Sequence, residues 1–245
     1  MRKSACCSSD SQDAGQPFPK TGPLSRRIGI NLQALRSALE CWKDETVYAY
    51  VVASICSRWN GEFIQRGSAP NFQGGLITLC TCKRRMRTFR APENWIGIWI
   101  AGLCSLKGAG DQQALFYLTR VEEAYESHRD LWKKTPHNAR AAKNARTHRL
   151  GDIYEPRPDT KPFVPDTYNP PVKNHSHREW PDEWRKDINY KGVKERHAAL
   201  LVGDPDRSYL WNRALLICPR IVGRAQKKLR LEDFLAHFSL QKPAQ

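Results

Sequence analysis

The pattern of apolar and polar positions divides the chain into short strands and short helices. Runs rich in β-branched and aromatic residues predict strands, and so does strict alternation, as in the segment LITLCTC. The predicted strands are 47–54, 76–82, 95–102, 114–121 and 198–203. Apolar residues at helical spacing predict amphipathic helices. The predicted helices are 30–42, 122–132, 206–217 and 231–240.

These elements favour an α+β fold. Strands and helices do not alternate as βαβ units, which argues against a doubly wound parallel sheet. We therefore expect a small, mainly antiparallel sheet or a partly open barrel with flanking helices. Residues 1–24 are rich in Ser, Gly and Pro and predict a disordered tail. Residues 25–45 are assigned to an N-terminal helix, and 46–245 to a single α+β domain.

Composition narrows the class of protein. The 245 residues include 40 Lys and Arg against 25 Asp and Glu, which gives a formal net charge of +15. No apolar run approaches the ~18–20 residues that a membrane span needs. The N-terminal segment MRKSACCSSD has no apolar signal core, which argues against secretion. We therefore expect a cytoplasmic protein with no membrane partner.

The eight cysteines do not form a CxxC pair, so the usual zinc signature is missing. Cys80 and Cys82 share one face of a predicted strand, where buried thiols are the expected reading and reactive thiolates the alternative. His175 and His177 begin a zinc site only with further ligands, and the sequence fixes none. We accordingly predict no metal and no cofactor.

Three basic clusters predict contact with nucleic acid, most simply DNA. They lie at 83–90, at 133–149 and at 220–230, with few acidic residues inside them. Extended cationic surface binds phosphate backbones through counterion release. The candidate phosphate contacts are Arg84, Arg85, Arg87, Lys143 and Arg146. A basic face that only keeps the protein in solution is the alternative.

The chain is also rich in tryptophan. Trp95 and Trp99 lie in a predicted strand and favour the core, whereas Trp180 and Trp184, in a Pro-rich stretch, are candidates for the surface. An exposed ring can stack on an unpaired or flipped-out base, a contact worth about 1–3 kcal/mol. The candidates for stacking on a base are Trp59 and Tyr48.

Four polar residues are candidates for a base pocket. Asn71 lies between Pro70 and a Gly pair, where its amide could read a base edge or form an Asx turn. Lys83 ends a predicted strand, where it could reach a phosphate or simply terminate the strand. Asp152 and Tyr154, in GDIYEP, could orient a base, although Asp152 could equally cap a turn.

Several motifs occur in an order that resembles a known family. They are VYAYVVAS, SAPNFQGGLITLCTCKRRMR, GIWIAGLCS, FYLTRVEEAYESHRDLW and GDIYEP. In this order they resemble the second type of the nucleotide-modification-associated domain family, over roughly residues 46–225. The layout also loosely resembles the modified-base readers of the PUA superfamily, in which a small barrel holds a flipped base.

The resemblance implies a role in DNA base modification, phage defence or counter-defence. It implies a site that includes Asn71 from the A-P-N loop and Lys83 from the C-K segment, with Asp152 and Tyr154 from the later turn. Three departures from the family pattern stand out. Ile98 replaces the Asp of G-D-W-I, Arg84 replaces the Pro after Lys83, and the Asn of G-D-N-I-Y is missing.

The resulting hypothesis is a protein that binds DNA or nucleotides carrying a modified base. An alternative is an enzyme that adds, removes or excises such a base. In that case Asp152 would act as acid or base and Lys83 would stabilise developing negative charge. A further alternative is a basic RNA- or protein-binding module that contacts a partner through its N-terminal helix.

Overall fold

A computed structural model describes residues 17–58, 60–106, 111–143, 152–170, 182–223 and 225–240. The fold is α+β. The strands are β1 (Thr46–Val51), β2 (Ile55–Ser57), β3 (Phe63–Gln65), β4 (Thr78–Leu79), β5 (Trp99–Ser105), β6 (Gln112–Tyr125), β7 (Leu200–Leu210), β8 (Leu216–Pro219), β9 (Lys227–Arg230) and β10 (Ser239–Leu240). The helices are α1 (Leu32–Leu39), α2 (Arg84–Arg87), α3 (His128–Lys134), α4 (His137–Lys143), α5 (Arg185–Asn189) and α6 (Leu231–Ala236). No described helix is long and apolar enough to cross a membrane.

The chain forms two compact units. Unit 1 comprises Met1–Arg66, Gly97–Arg120 and Asp206–Gln245. Unit 2 comprises Gly67–Ile96 and Val121–Pro205. The predicted disordered tail lies mostly in residues 1–16, outside the described part of the chain.

The strands of unit 1 form a mixed sheet. They follow the order β10-β8-β6-β5-β1-β9, in which β1 is parallel to β5 and the other neighbours are antiparallel. Gly102 on β5 lies against the ring of Tyr117 on β6, and a Cβ atom there would lie only 2.2 Å from that ring. Any larger residue at position 102 would collide with this ring. The hydroxyl groups of Tyr50 and Tyr117 form a hydrogen bond of 2.9 Å nearby.

Helix α1 confirms part of the predicted N-terminal helix. Asn31 caps it by accepting a hydrogen bond from the Ala34 amide, and Leu32, Leu35 and Leu39 are buried. Because its apolar face packs inside unit 1, a protein partner of this helix would have to contact its polar face.

Unit 2 contains β4, the first half of β7 and four of the helices, α2, α3, α4 and α5. Strand β4 pairs antiparallel with β7, with Thr78 opposite Val202. A hydrophobic cluster packs behind this pair and joins it to α3; its members are Leu76, Cys80, Tyr125, Leu131, Trp132, Ile153, Leu200 and Val202. A second cluster of large side chains lies near α5 and contains Tyr154, Tyr168, Trp184 and Ile188.

Several predicted elements change in extent or in type. The strand predicted at 76–82 is reduced to Thr78–Leu79, and the chain continues to Lys83, where φ is 56° just before α2 begins. Strand β6 continues to Tyr125, so the helix predicted from 122 starts only at His128. The helix predicted at 206–217 is wrong, because those residues continue β7 and begin β8, where sheet pairing overrides a helical pattern.

Candidate functional site

The candidate site in unit 2 starts at the loop that carries Asn71. The Asn71 amide donates to the Thr78 carbonyl at 2.9 Å and the Thr78 amide donates back at 2.8 Å, so these residues close a narrow loop. The Asn71 side-chain oxygen accepts from the Gln73 amide at 2.9 Å. This hydrogen bond forms an Asx turn, one of the two roles that the sequence suggested for Asn71. Asn71 is buried, so its side chain belongs to the interior of the loop.

The last residue of α4 reaches into this loop. The Nζ of Lys143 donates to the carbonyls of Leu76 and Asn71 at 2.7 and 2.8 Å. Its distance from the Asn71 side-chain oxygen is 3.5 Å. Helix α4 packs closely on the loop, since a Cβ on Gly74 would lie 2.8 Å from the Cα of Ala139. The loop and α4 thus form one packed structure around a buried ammonium.

Asp152 lies on the other side of Thr78. The Thr78 hydroxyl donates to the Oδ1 atom of Asp152 at 3.0 Å. The second oxygen, Oδ2, is buried and has no hydrogen-bond partner among the described residues. Asp152 itself is fully buried. We refer to Asn71, Thr78, Lys143 and Asp152 as the buried polar cluster.

Burial shifts both charged groups of the cluster toward neutrality. It raises the pKa of Asp152 to about 6, although Lys143 and the Thr78 hydroxyl act in the opposite direction. It lowers the pKa of Lys143 to about 8, against the attraction of Asp152. Two such groups near neutral pH are suited to hydrogen bonding and to proton transfer.

A second network holds Tyr154. Its hydroxyl donates to Oδ2 of Asp187 at 3.1 Å, and Arg84 donates to Oδ1 of Asp187 at 3.3 Å. Arg84 also forms an ion pair with Glu183. Burial raises the pKa of Asp187 to about 7 despite Arg84. Tyr154 and Arg84 are therefore engaged within the protein.

The structure brings only part of the predicted pocket together. Thr78 links Asn71 to Asp152. Lys83 precedes α2 in the left-handed region and is half-buried, which lowers its pKa. The ammonium of the cluster is that of Lys143.

The predicted phosphate contacts need correction. Arg87 is fully buried and donates to the carbonyls of Cys80, Cys82 and Ala199 at 2.8, 2.9 and 2.6 Å, so it ties main-chain segments together. Lys143 is buried in the same way. Their burial was missed because basic runs are usually solvated.

The remaining phosphate candidates differ in their surroundings. The charge of Arg84 is neutralised by Glu183 and Asp187. Among the basic residues of the cluster at 83–90, only Arg85 is exposed. Arg146 lies outside the described residues.

The aromatic candidates have mixed outcomes. Trp95 and Trp99 are in the core, as expected. Trp184 is buried against Tyr154, with 5.5 Å between the ring centroids, so it does not form the expected surface platform. Tyr48 is buried in unit 1, and its ring is not presented to solvent. Trp59 and Trp180 lie outside the described residues.

The cysteines and histidines give no sign of a metal site among the described residues. No group of three His, Cys, Asp or Glu side chains is arranged there to hold an ion. Burial raises the pKa of the Cys80 thiol well above its usual value, with a contribution from Asp152, and raises that of Cys82 to about 11. Both thiols are therefore protonated at neutral pH. His175 and His177 lie outside the described residues.

Sequence reasoning missed Thr78 and Asp187. Thr78 looked like one polar position of an alternating strand, and Asp187 like one charge among many. Both became visible only through partners distant in the chain, Asp152 for Thr78 and Arg84 for Asp187. No local signal in the sequence marks such contacts.

Comparison with known proteins found no relative of this chain. No family model, no curated protein and no solved structure matches this chain.

Proposed function

We propose that this chain binds DNA or nucleotides that carry a modified base, as part of a DNA base-modification, phage-defence or counter-defence system. The observation that carries the proposal is the buried polar cluster of unit 2. Lys and Asp side chains are rarely buried completely without direct pairing, and perturbed pKa values concentrate at functional sites. Here Lys143 and Asp152 are both fully buried, and neither lies in an ion pair with the other.

The chemistry of the cluster suits a nucleobase. A carboxylate oxygen accepts hydrogen bonds, and Asp152 has one such oxygen unused among the described residues. Exocyclic amino groups of bases donate to carboxylates in this way. Because Asp152 is shielded from solvent, a base can reach it only after neighbouring chain moves aside. A base held there would have left its stack.

Charge and fold add support of a more general kind. A formal net charge of +15 favours a polyanionic partner. The α+β fold accords with a PUA-like arrangement, which we retain as part of the proposal.

An enzyme acting at the same place is the second candidate. It is favoured by one observation: the pKa of Asp152, raised to about 6, suits a group that exchanges protons near neutral pH. Asp152 would act as acid or base, and Lys83 or Lys143 would stabilise negative charge. Incubation with modified DNA followed by mass spectrometry of its nucleosides tests this: a new nucleoside or free base supports catalysis, and unchanged nucleosides across the panel contradict it.

Calorimetric titration tests the binding proposal. The protein is titrated with deoxynucleoside monophosphates whose bases are unmodified, 5-methylated, 5-hydroxymethylated or N6-methylated. We expect at least one modified nucleotide to bind ten times more tightly than its unmodified parent. Asp152→Asn should remove that preference, whereas Asp159→Asn, at an exposed position of the same unit, should keep it. Equal affinity for all members of the panel would contradict the proposal.

A further inference from the structure

Several basic residues lie at the end of α3 and in α4 of unit 2. Lys133, Lys134 and His137 are exposed, and Trp132 and Arg140 are half-buried beside them. We call these five residues the α3–α4 face. Lys133 and His137 are four positions apart in the chain. Their Cα atoms therefore lie within about 14 Å of each other.

In the part of the chain that the structure describes, no acidic residue is paired with Lys133, Lys134 or Arg140. The stretch 131–143 contains neither Asp nor Glu. The preceding acid, Asp130, accepts a hydrogen bond from Ser127 at 2.6 Å and is paired with Arg129 at 3.4 Å. Within the described residues, the cations of the face form no ion pair. This situation contrasts with Arg84, whose charge is neutralised by two carboxylates.

Arg140 is held in a fixed position on Trp132. Its Cζ atom lies 5.3 Å from the centroid of the Trp132 ring, which is a cation–π contact. Its Nη1 atom also donates to the Trp132 carbonyl at 3.0 Å, which restrains the guanidinium. Trp132 in turn packs against the hydrophobic cluster behind it. The Nε atom of Arg140 is buried and the residue as a whole is half-buried, so an unpaired base can stack only on the part of this planar cation that faces solvent.

We propose that the α3–α4 face binds single-stranded DNA. Phosphates contact Lys133 and Lys134, and an unpaired base stacks on the Arg140–Trp132 pair. A single strand is favoured over a duplex because paired bases are stacked on one another and do not offer a free face. The inference rests on the proposed function for the choice of DNA, and it deepens that function by naming the strand state and the contact surface.

Fluorescence anisotropy with a labelled oligothymidylate tests the phosphate contacts. Lys133→Glu with Lys134→Glu is compared with a matched control, Lys161→Glu with Lys191→Glu, at two exposed lysines of unit 2 that lie outside the three basic clusters. Both double variants change the net charge equally. We expect the first to weaken binding at least tenfold and to reduce the slope of log affinity against log salt by about 1.4, or ~0.7 per lost contact. We expect the control to stay within about threefold of the parent.

An abasic strand tests the stacking contact. Such a strand keeps its phosphates but has no base. We expect the parent protein to bind oligothymidylate about 5 to 160 times more tightly than the abasic strand, the range that about 1–3 kcal/mol for one stacked base implies. Arg140→Lys keeps the charge but removes the planar group, so it should lose most of that difference. Circular dichroism verifies that each variant is folded.

Several outcomes would overturn the inference. Equal weakening by both double variants would mean that total charge, not the α3–α4 face, determines binding. Tighter binding of duplex DNA would contradict the strand state, and tighter binding of RNA of the same sequence would contradict the choice of DNA. Absence of binding to every oligonucleotide would contradict the inference. Oligothymidylate binding without preference for modified nucleotides would contradict only the proposed function.

Discussion

The Nζ atom of Lys143 lies 2.8 Å from the carbonyl oxygen of Asn71, 72 positions earlier in the chain. The same ammonium donates to Leu76 at 2.7 Å. One side chain at the end of α4 therefore restrains both ends of the loop that presents Asn71. Lys143 thereby joins this loop to α4, the helix that also carries His137 and Arg140 of the α3–α4 face. The buried polar cluster consequently depends on how firmly this loop is held.

Replacing Lys143 by Met should destabilise the protein by about 1–3 kcal/mol. The methionine matches the length of the lysine stem but leaves the Leu76 carbonyl without its donor. Urea denaturation followed by circular dichroism measures the change. Lys134→Met, at an exposed position, is the control and should change the free energy of unfolding by less than about 0.5 kcal/mol. Equal effects of the two changes would show that the hydrogen bonds of Lys143 do not stabilise the fold.

Gly74→Ala should be more destabilising than Gly75→Ala. Both glycines have positive φ, 70° and 79°, so an alanine costs about 1–2 kcal/mol at either place. Only at Gly74 would the new Cβ also collide with α4, 2.8 Å from the Cα of Ala139; at Gly75 nothing lies within 4 Å. The difference between the two free energies of unfolding isolates the contact between loop and helix. A difference near zero would mean that α4 moves away at little cost.

The sequence predicted the strands of unit 1 better than the site in unit 2. Strand β1 follows from the local run VYAYVV, and α1 from its leucine spacing and Asn31 cap. The buried polar cluster follows from contacts across 72 and 74 positions, made by Lys143 and Thr78. Local periodicity holds no information on such distances. A basic residue in a charged run is also expected at the surface, so the burial of Lys143 could not be foreseen.

Arg87→Met should destabilise the protein by about 3 kcal/mol or more, whereas Arg85→Met should change stability by less than about 0.5 kcal/mol. The two arginines lie two positions apart, but Arg87 is fully buried and Arg85 is exposed. Arg87 donates to the carbonyls of Cys80 and Ala199, which would lose their donor. Thermal and urea unfolding measure both variants. If Arg87→Met were as stable as the parent, the carbonyl contacts would not account for its burial.

Asp152→Asn should alter how stability depends on pH. Burial raises the pKa of Asp152 from its usual 3.8 to about 6, so between these values the folded state holds a proton that the unfolded state has released. The carboxyl group therefore contributes stability below about pH 4, and this contribution is lost as the pH rises through about 6. Asparagine does not titrate, so relative to the parent the variant should gain stability from pH 4 to 6 and level off above.

Urea denaturation at pH values from 4 to 8 measures this effect. Asp159→Asn, which removes an exposed carboxylate of the same unit, is the control for loss of one negative charge. If the difference between Asp152→Asn and the parent stayed constant over this range, Asp152 would titrate alike in the folded and unfolded chains. Its burial beside Thr78 and Lys143 would then be too weak to affect protonation. The chemical argument for a site at the buried polar cluster would lose its basis.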